Sequence, residues 1–216
     1  MDKERAKNAL DFYYTNTTAL KEKKRQGWIY WNVSGERLES DPEHIWGAEI
    51  LAQAMWSEFD IDVDICKVVT MLSLHEEEEI IIGDITPFDN ISSNQKLELG
   101  NNAVEKVCKD MRKKKFFIDL ITEFNERKTP EAKFAYWCDK MECDLQAKLY
   151  SDTGRCSFNG VADKIMNDKR VQQIIKECAT TVAEVFHLYD EPKFEDSPEF
   201  SGLLEFLKEY AITKIS

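Results

Sequence analysis

Residues 59–83, FDIDVDICKVVTMLSLHEEEEIIIG, place apolar side chains along one helical face. Ile65, Val68, Val69 and Leu72, with Met71 at the edge, recur at three- and four-residue steps, the period of an α-helix rather than of a strand. The pattern predicts a helix that starts at Asp60 or Asp62 and stops near Gly83, because glycine readily takes the backbone conformation that ends helices. His75 continues the buried face beyond Leu72. The four glutamates after it read, taken alone, as a solvated run.

The same period recurs along the chain. Helices are expected over 4–24, from Asp41-Pro42 to about Glu58, and over 95–111 and 115–126. Further helices are expected from Thr129-Pro130 to Tyr150, over 171–189 and over 197–212. Asp41 is the expected N-cap with Pro42 at the first helical position, which puts His44 in the first turn. Residues 31–40 (WNVSGERLES) and 84–94 read as loops, and 155–168 as irregular or short helix. With 8 Gly and 5 Pro in 216 residues, turns are too few for a β-sandwich or barrel. No repeat or linker interrupts the pattern, so the expectation is one all-α domain spanning 1–216.

A net charge of −12 excludes a nucleic-acid backbone as partner, since phosphates call for clustered Lys and Arg. The dense basic runs, KKRQ (23–26) and RKKK (112–115), read as solvated helix ends. Cysteines at 66, 108, 138, 143, 156 and 178 form no C-x-x-C pair and read as buried hydrophobes of a reducing, cytoplasmic compartment. No apolar stretch approaches the ~20 residues of a bilayer span, and MDKERAKNAL lacks an apolar signal region, so no membrane partner is expected.

Hydrolytic metal sites need imidazole and carboxylate groups converging from separate elements. His44 follows Glu43, and His75 precedes Glu76 with Glu79 one turn later on the same face. Asp139 lies inside an apolar helix between Cys138 and Met141, where an unpaired charge is costly. A bound cation accounts for all of these. So do hydrogen-bonded core histidines and an Asp139 paired with Lys133 or Lys140. His187, within VFHLY, reads as structural.

Four motifs occur in order: ESDPEH (39–44), LHEEEEIIIGDITP (74–87), PEAKF (130–134) and DKMECDLQA (139–147). Together they resemble the HD-domain phosphohydrolases, in particular the 5′-deoxynucleotidase branch, over roughly residues 19–150; residues 151–216 are not covered. The resemblance implies an HD-like helical bundle with a metal site between helices. It makes His44, His75, Glu76 and Asp139 the ligands of a divalent cation (Mn, Co, Mg, Fe, Ni or Zn). It makes Glu79 and Asp84 the catalytic carboxylates facing the phosphate and the attacking water, while Glu77 and Glu78 stay solvated. Arg25 and Trp28 of RQGW are the implied phosphate and sugar contacts, with Arg37 a competing clamp on a loop about two residues longer than the family's. The implied substrate is a small nucleotide, a deoxyribonucleoside 5′-monophosphate, and the implied assembly a homodimer. Alternative readings are an HD hydrolase of nucleoside di- or triphosphates or of an alarmone, and a non-catalytic nucleotide-sensing protein. The last is suggested by His75-Glu76 where the family has His-Asp. The extra methylene moves the carboxylate by about one bond, ~1.5 Å.

Overall fold

A computed structural model describes residues 1–177 and 179–212. Its regular elements are helical, as expected: α1 (Lys3–Lys21), α2 (Gln26–Tyr30), α3 (Asp41–Glu58), α4 (Ile65–Leu74), α5 (Glu79–Ile82) and α6 (Ser93–Val107). They continue with α7 (Lys114–Glu126), α8 (Pro130–Asp152), α9 (Asp163–Met166), α10 (Lys169–Glu177), α11 (Val182–Asp190) and α12 (Pro198–Leu207). A 3₁₀ turn, Glu191–Phe194, joins the last two. Among the described residues there is no strand, and no helix is long and apolar enough to cross a membrane. The contacts divide into two compact units, one of Met1–Gln26 and Glu39–Tyr136, the other of Gly27–Leu38 and the chain from Trp137 onward.

In the first unit α3 lies on α4, α4 on α7, α6 on α5 and α7, and α1 on α3 and α5. Ala48, Ala52 and Met55 of α3, Val68, Met71 and Leu72 of α4, and Leu120, Ile121 and Phe124 of α7 are buried. The start of α3 differs from expectation. Its N-cap is Ser40, in a capping box whose Glu43 carboxylate accepts from the Ser40 N–H at 2.8 Å. Asp41, relieved of the capping role, lies inside the helix and is fully buried.

The expected 60–83 helix is also broken. Asp64 caps α4 by accepting from Cys66 N at 3.0 Å and Lys67 N at 3.2 Å, so the helix begins later. It ends at Leu74 because His75 folds back: its Nδ1 donates to the Leu72 carbonyl at 2.6 Å, engaging an acceptor that the helix would otherwise use. Bonds from Glu77 N to Leu74 O (3.1 Å) and Glu79 N to Glu76 O (3.0 Å) tighten the chain into a turn before α5. Gly83, at φ 81°, ends α5 near the expected residue.

In the second unit the ring of Trp28 stacks on Phe186 at 5.3 Å and meets Tyr150 edge-on at 5.1 Å. Phe194 and Phe200 stack further along. The helix expected over 171–189 is two helices. Thr181 accepts from Glu184 N at 3.2 Å while Glu184 accepts from Thr181 N at 2.9 Å, a capping box that forces an extended residue where a continuous helix would pass. The last helix stops at Leu207, short of 212. Cys66 is exposed, against the expectation of buried cysteines; Cys108 and Cys138 are buried, and Cys178 lies outside the described residues.

Candidate metal centre

Residues 23–25 run alongside 39–41: Arg25 N donates to Glu39 O at 3.0 Å and Asp41 N to Lys23 O at 3.3 Å. This pairing sets Arg25 beside the first turn of α3, which carries His44. The turn after α4 supplies His75 and Glu76. The two histidine Nε2 atoms lie 3.3 Å apart, and Glu76 Oε1 lies 3.6 Å from that of His44 and 3.4 Å from that of His75. All three side chains are buried.

His75 Nδ1–H donates to Leu72 O, which turns the Nε2 edge of the ring toward His44 and Glu76. Two imidazole nitrogens and a carboxylate oxygen, within 4.8 Å of one another, form a donor set suited to a divalent cation. Burial opposes ionisation of Glu76, but Arg25, with Nη1 at 2.6 Å from Oε1, and then His75 and His44 outweigh it and hold the carboxyl well below its ordinary range.

A second cluster follows in the same unit. Asp41, Glu79 and Asp84 bring carboxylate oxygens within 4.8 Å of one another. Among the described residues neither Asp41 oxygen has a hydrogen-bond partner, nor does Glu79 Oε2. Asp84 Oδ2 accepts from Gln26 N at 2.6 Å. Burial, then the charge of Glu76, raises Asp41 to about 7; burial, then Glu76 and Asp84, holds Glu79 well above the usual range. Lys96 Nζ lies 3.9 Å from Glu79 Oε1 and donates to Ile85 O at 3.0 Å, while the buried Lys23 Nζ has no hydrogen-bond partner among the described residues. Such a group can share protons or bind a hard cation.

Of the residues singled out in the sequence, Arg25, His44, His75, Glu76, Glu79 and Asp84 come together in the first unit. Trp28, Arg37 and Asp139 belong to the second. Trp28 is a packed core side chain; Arg37 is exposed, its carbonyl accepting from Arg155; Asp139 is buried, with Lys140 Nζ 2.8 Å from Oδ2. Two expectations are corrected. Glu77 and Glu78 are buried, not solvated, because the turn after α4 wraps the acidic run inward: Asn16 Nδ2 donates to Glu77 at 2.9 Å, and a Cβ at Gly100 would collide with the Glu78 carboxylate. KKRQ is no solvated helix end, since its pairing with 39–41 turns Lys23 and Arg25 inward. Asp41 and Lys96 were missed. Asp41 was hidden by its resemblance to an N-cap, and Lys96 carried no signal at all.

The HD domain family model matches residues 17–182, past the point where the motifs end. The chain is 30% identical over 168 residues to the 5′-deoxynucleotidase HDDC2 of Homo sapiens, covering 73% of this chain and 78% of that protein. It is 31% identical over 177 residues to the Xenopus laevis HDDC2, covering 76% and 85%. A solved structure of a predicted metal-dependent phosphohydrolase from Magnetospirillum magnetotacticum shares the fold, with a TM-score of 0.67 at 22% identity, covering 95% of this chain and 94% of that one. The motif order, the paired histidines and these matches agree: the chain belongs to the HD domain family.

Proposed function

We propose that this chain is a metal-dependent phosphohydrolase that releases phosphate from deoxyribonucleoside 5′-monophosphates by attack of water on phosphorus. The observation that carries the reading is the convergence of His44, His75 and Glu76 with Arg25 held at 2.6 Å from the same carboxylate oxygen. The curated relatives, named 5′-deoxynucleotidases, support the substrate class over nucleoside triphosphates, an alarmone or a purely sensing role.

His44, His75 and Glu76 would hold the cation, with Asp139 as closing ligand on the strength of the motif resemblance. When bound, the cation neutralises phosphate charge and lowers the pKa of a water. Arg25, braced through Nη1 on Glu76, presents a planar fork matched to phosphate oxygens, and Lys23 adds a second positive charge. Asp84, oriented by the Gln26 N–H, accepts the proton of the attacking water. Glu79, kept protonated by burial and its acidic neighbours, returns a proton to the leaving 5′-oxygen. The cation is one of Mn, Co, Mg, Fe, Ni and Zn, and the enzyme a cytoplasmic homodimer.

The test is phosphate release from all nucleoside mono-, di- and triphosphates across that panel of metals. Release from deoxynucleoside monophosphates should lead. His75→Ala and Asp139→Ala should each remove metal and activity together, and Glu79→Gln should lower turnover ~10²- to 10⁴-fold with metal retained. Unchanged dAMP hydrolysis in both ligand variants would refute the assignment.

A further inference from the structure

Two exposed segments of the first unit carry opposite charge, and the metal centre uses neither. One is the corner that leads into α7. Arg112, Lys113 and Lys114 are exposed there, and Phe116 follows at 53% exposure. The corner is held from behind: Cys108 is fully buried, Asn8 Nδ2 donates to Asp110 O at 3.1 Å, and Phe117 packs on Phe12 with ring centroids 5.4 Å apart. Lys115 is paired with Asp119 at 2.6 Å, whereas the three cations before it make no ion pair among the described residues. Helix stability does not account for them. Cations at the start of a helix oppose its dipole, and α7 has no acid in its first turn to offset them.

The other segment joins α3 to α4. Glu58, Asp60 and Asp62 are exposed, and so are Trp56 and Phe59, at 44% and 42%. Backbone bonds from Ile61 N to Phe59 O (2.8 Å) and from Val63 N to Ile61 O (3.2 Å) shape the stretch. Asp64 is occupied as the cap of α4, but the three acids before it make no ion pair among the described residues. Residues 38–66 contain no Lys or Arg, so no cation close in sequence neutralises them.

Each segment is the complement of the other, three cations and an exposed ring against three carboxylates and two exposed rings. They lead into α7 and α4, which pack on each other, so both are carried by one packed body. A second copy turned about a two-fold axis sets the basic corner of each chain on the acidic stretch of the other. The contact is then made twice, which doubles its area toward the ~800 Å² per partner of a stable interface. An anionic membrane or a nucleic acid would take up the corner and leave the acidic stretch with its aromatic rings unused. A basic partner would do the reverse.

We propose that two copies of this chain associate through a two-fold interface in which residues 112–116 of each dock on residues 56–62 of the other. The proposal rests on the homodimer of the reading above and is independent of its chemistry.

Sedimentation velocity on the full chain tests it. The unaltered chain should sediment as a dimer. Lys113→Glu/Lys114→Glu and Asp60→Lys/Asp62→Lys should each weaken association about 10²-fold or more, because both contacts then bring like charges together. Mixed in equal amounts, the two variants should form a dimer again, since opposite charges meet at both contacts. A monomeric unaltered chain at ~100 µM would overturn the interface and the homodimer together. Double variants that stay dimeric on their own would overturn the interface and leave the homodimer standing. Folded variants that stay monomeric when mixed would overturn the pairing of these two segments. If a double variant fails to fold by circular dichroism, Arg112→Glu and Glu58→Lys take the place of the pair, with the same outcomes.

Discussion

Glu76 reaches Arg25 with the same oxygen that faces the two histidines, so in the proposed centre the guanidinium and a bound cation would compete for Oε1. Glu76→Asp shortens that reach by ~1.5 Å. Divalent-metal affinity should then rise about tenfold, ~1.4 kcal/mol, with activity kept or increased; a collapse of metal binding in titrations would show that the centre is built around glutamate. Glu77, beside it, makes a different prediction. Burial raises its carboxyl from 4.5 to about 8. The unfolded chain therefore loses this proton near pH 4.5 while the folded chain keeps it to about pH 8, and across that window each pH unit costs the folded state up to ~1.4 kcal/mol. Asp41, raised to about 7, acts in the same direction. Thermal midpoints of chelated protein should fall from pH 5 to pH 8, and Glu77→Gln should flatten that fall. Parallel profiles for the two proteins would remove Glu77 as a cause.

At the level of elements, what the sequence shows clearly is what local chemistry decides. The Pro42 and Pro130 signals mark the starts of α3 and α8, where Thr129 Oγ1 accepts from Ala132 N at 3.3 Å. The proposed ligand positions His44 and His75 stand out in the sequence because motif and helical face coincide on them, and the structure brings the two rings together. The break at His75 is not readable, since the apolar period runs through it, and the bond from its ring to Leu72 O and the tightened turn after it are tertiary and local details that the pattern does not carry. The burial of all four glutamates depends on that break, so it was hidden too. The capping boxes at Ser40 and Thr181 were visible as S/T-x-x-E patterns, but the stronger-looking Asp41-Pro42 and an unbroken apolar run masked them. The Ser40 cap matters for the site because it frees Asp41 and fixes the turn that carries His44. Ser40→Ala should cost about 1 kcal/mol in urea unfolding and weaken metal binding as well. A loss of stability with metal affinity intact would separate the cap from the site.

For the molecule as a whole, the chain passes between its two compact units after Gln26, after Leu38 and after Tyr136, and the last passage runs within the single helix α8. A division that a continuous helix traverses is a poor boundary for independent folding, because melting one unit removes hydrogen-bonded turns at the edge of the other. We therefore propose that the chain folds as one domain. The tryptophans allow a direct test. Trp28 and Trp31, at 3% and 2% exposure, lie in the second unit, whereas Trp46 and Trp56 of the first are 65% and 44% exposed. Unfolding monitored by fluorescence thus reports chiefly the second unit, while circular dichroism reports helices of both. The two denaturation curves should coincide. A saturating divalent cation, at ~100 times its Kd, should move both by the same free energy, ~2.7 kcal/mol. Separate midpoints, or a cation that shifts the dichroism and leaves the fluorescence in place, would show two domains in one chain.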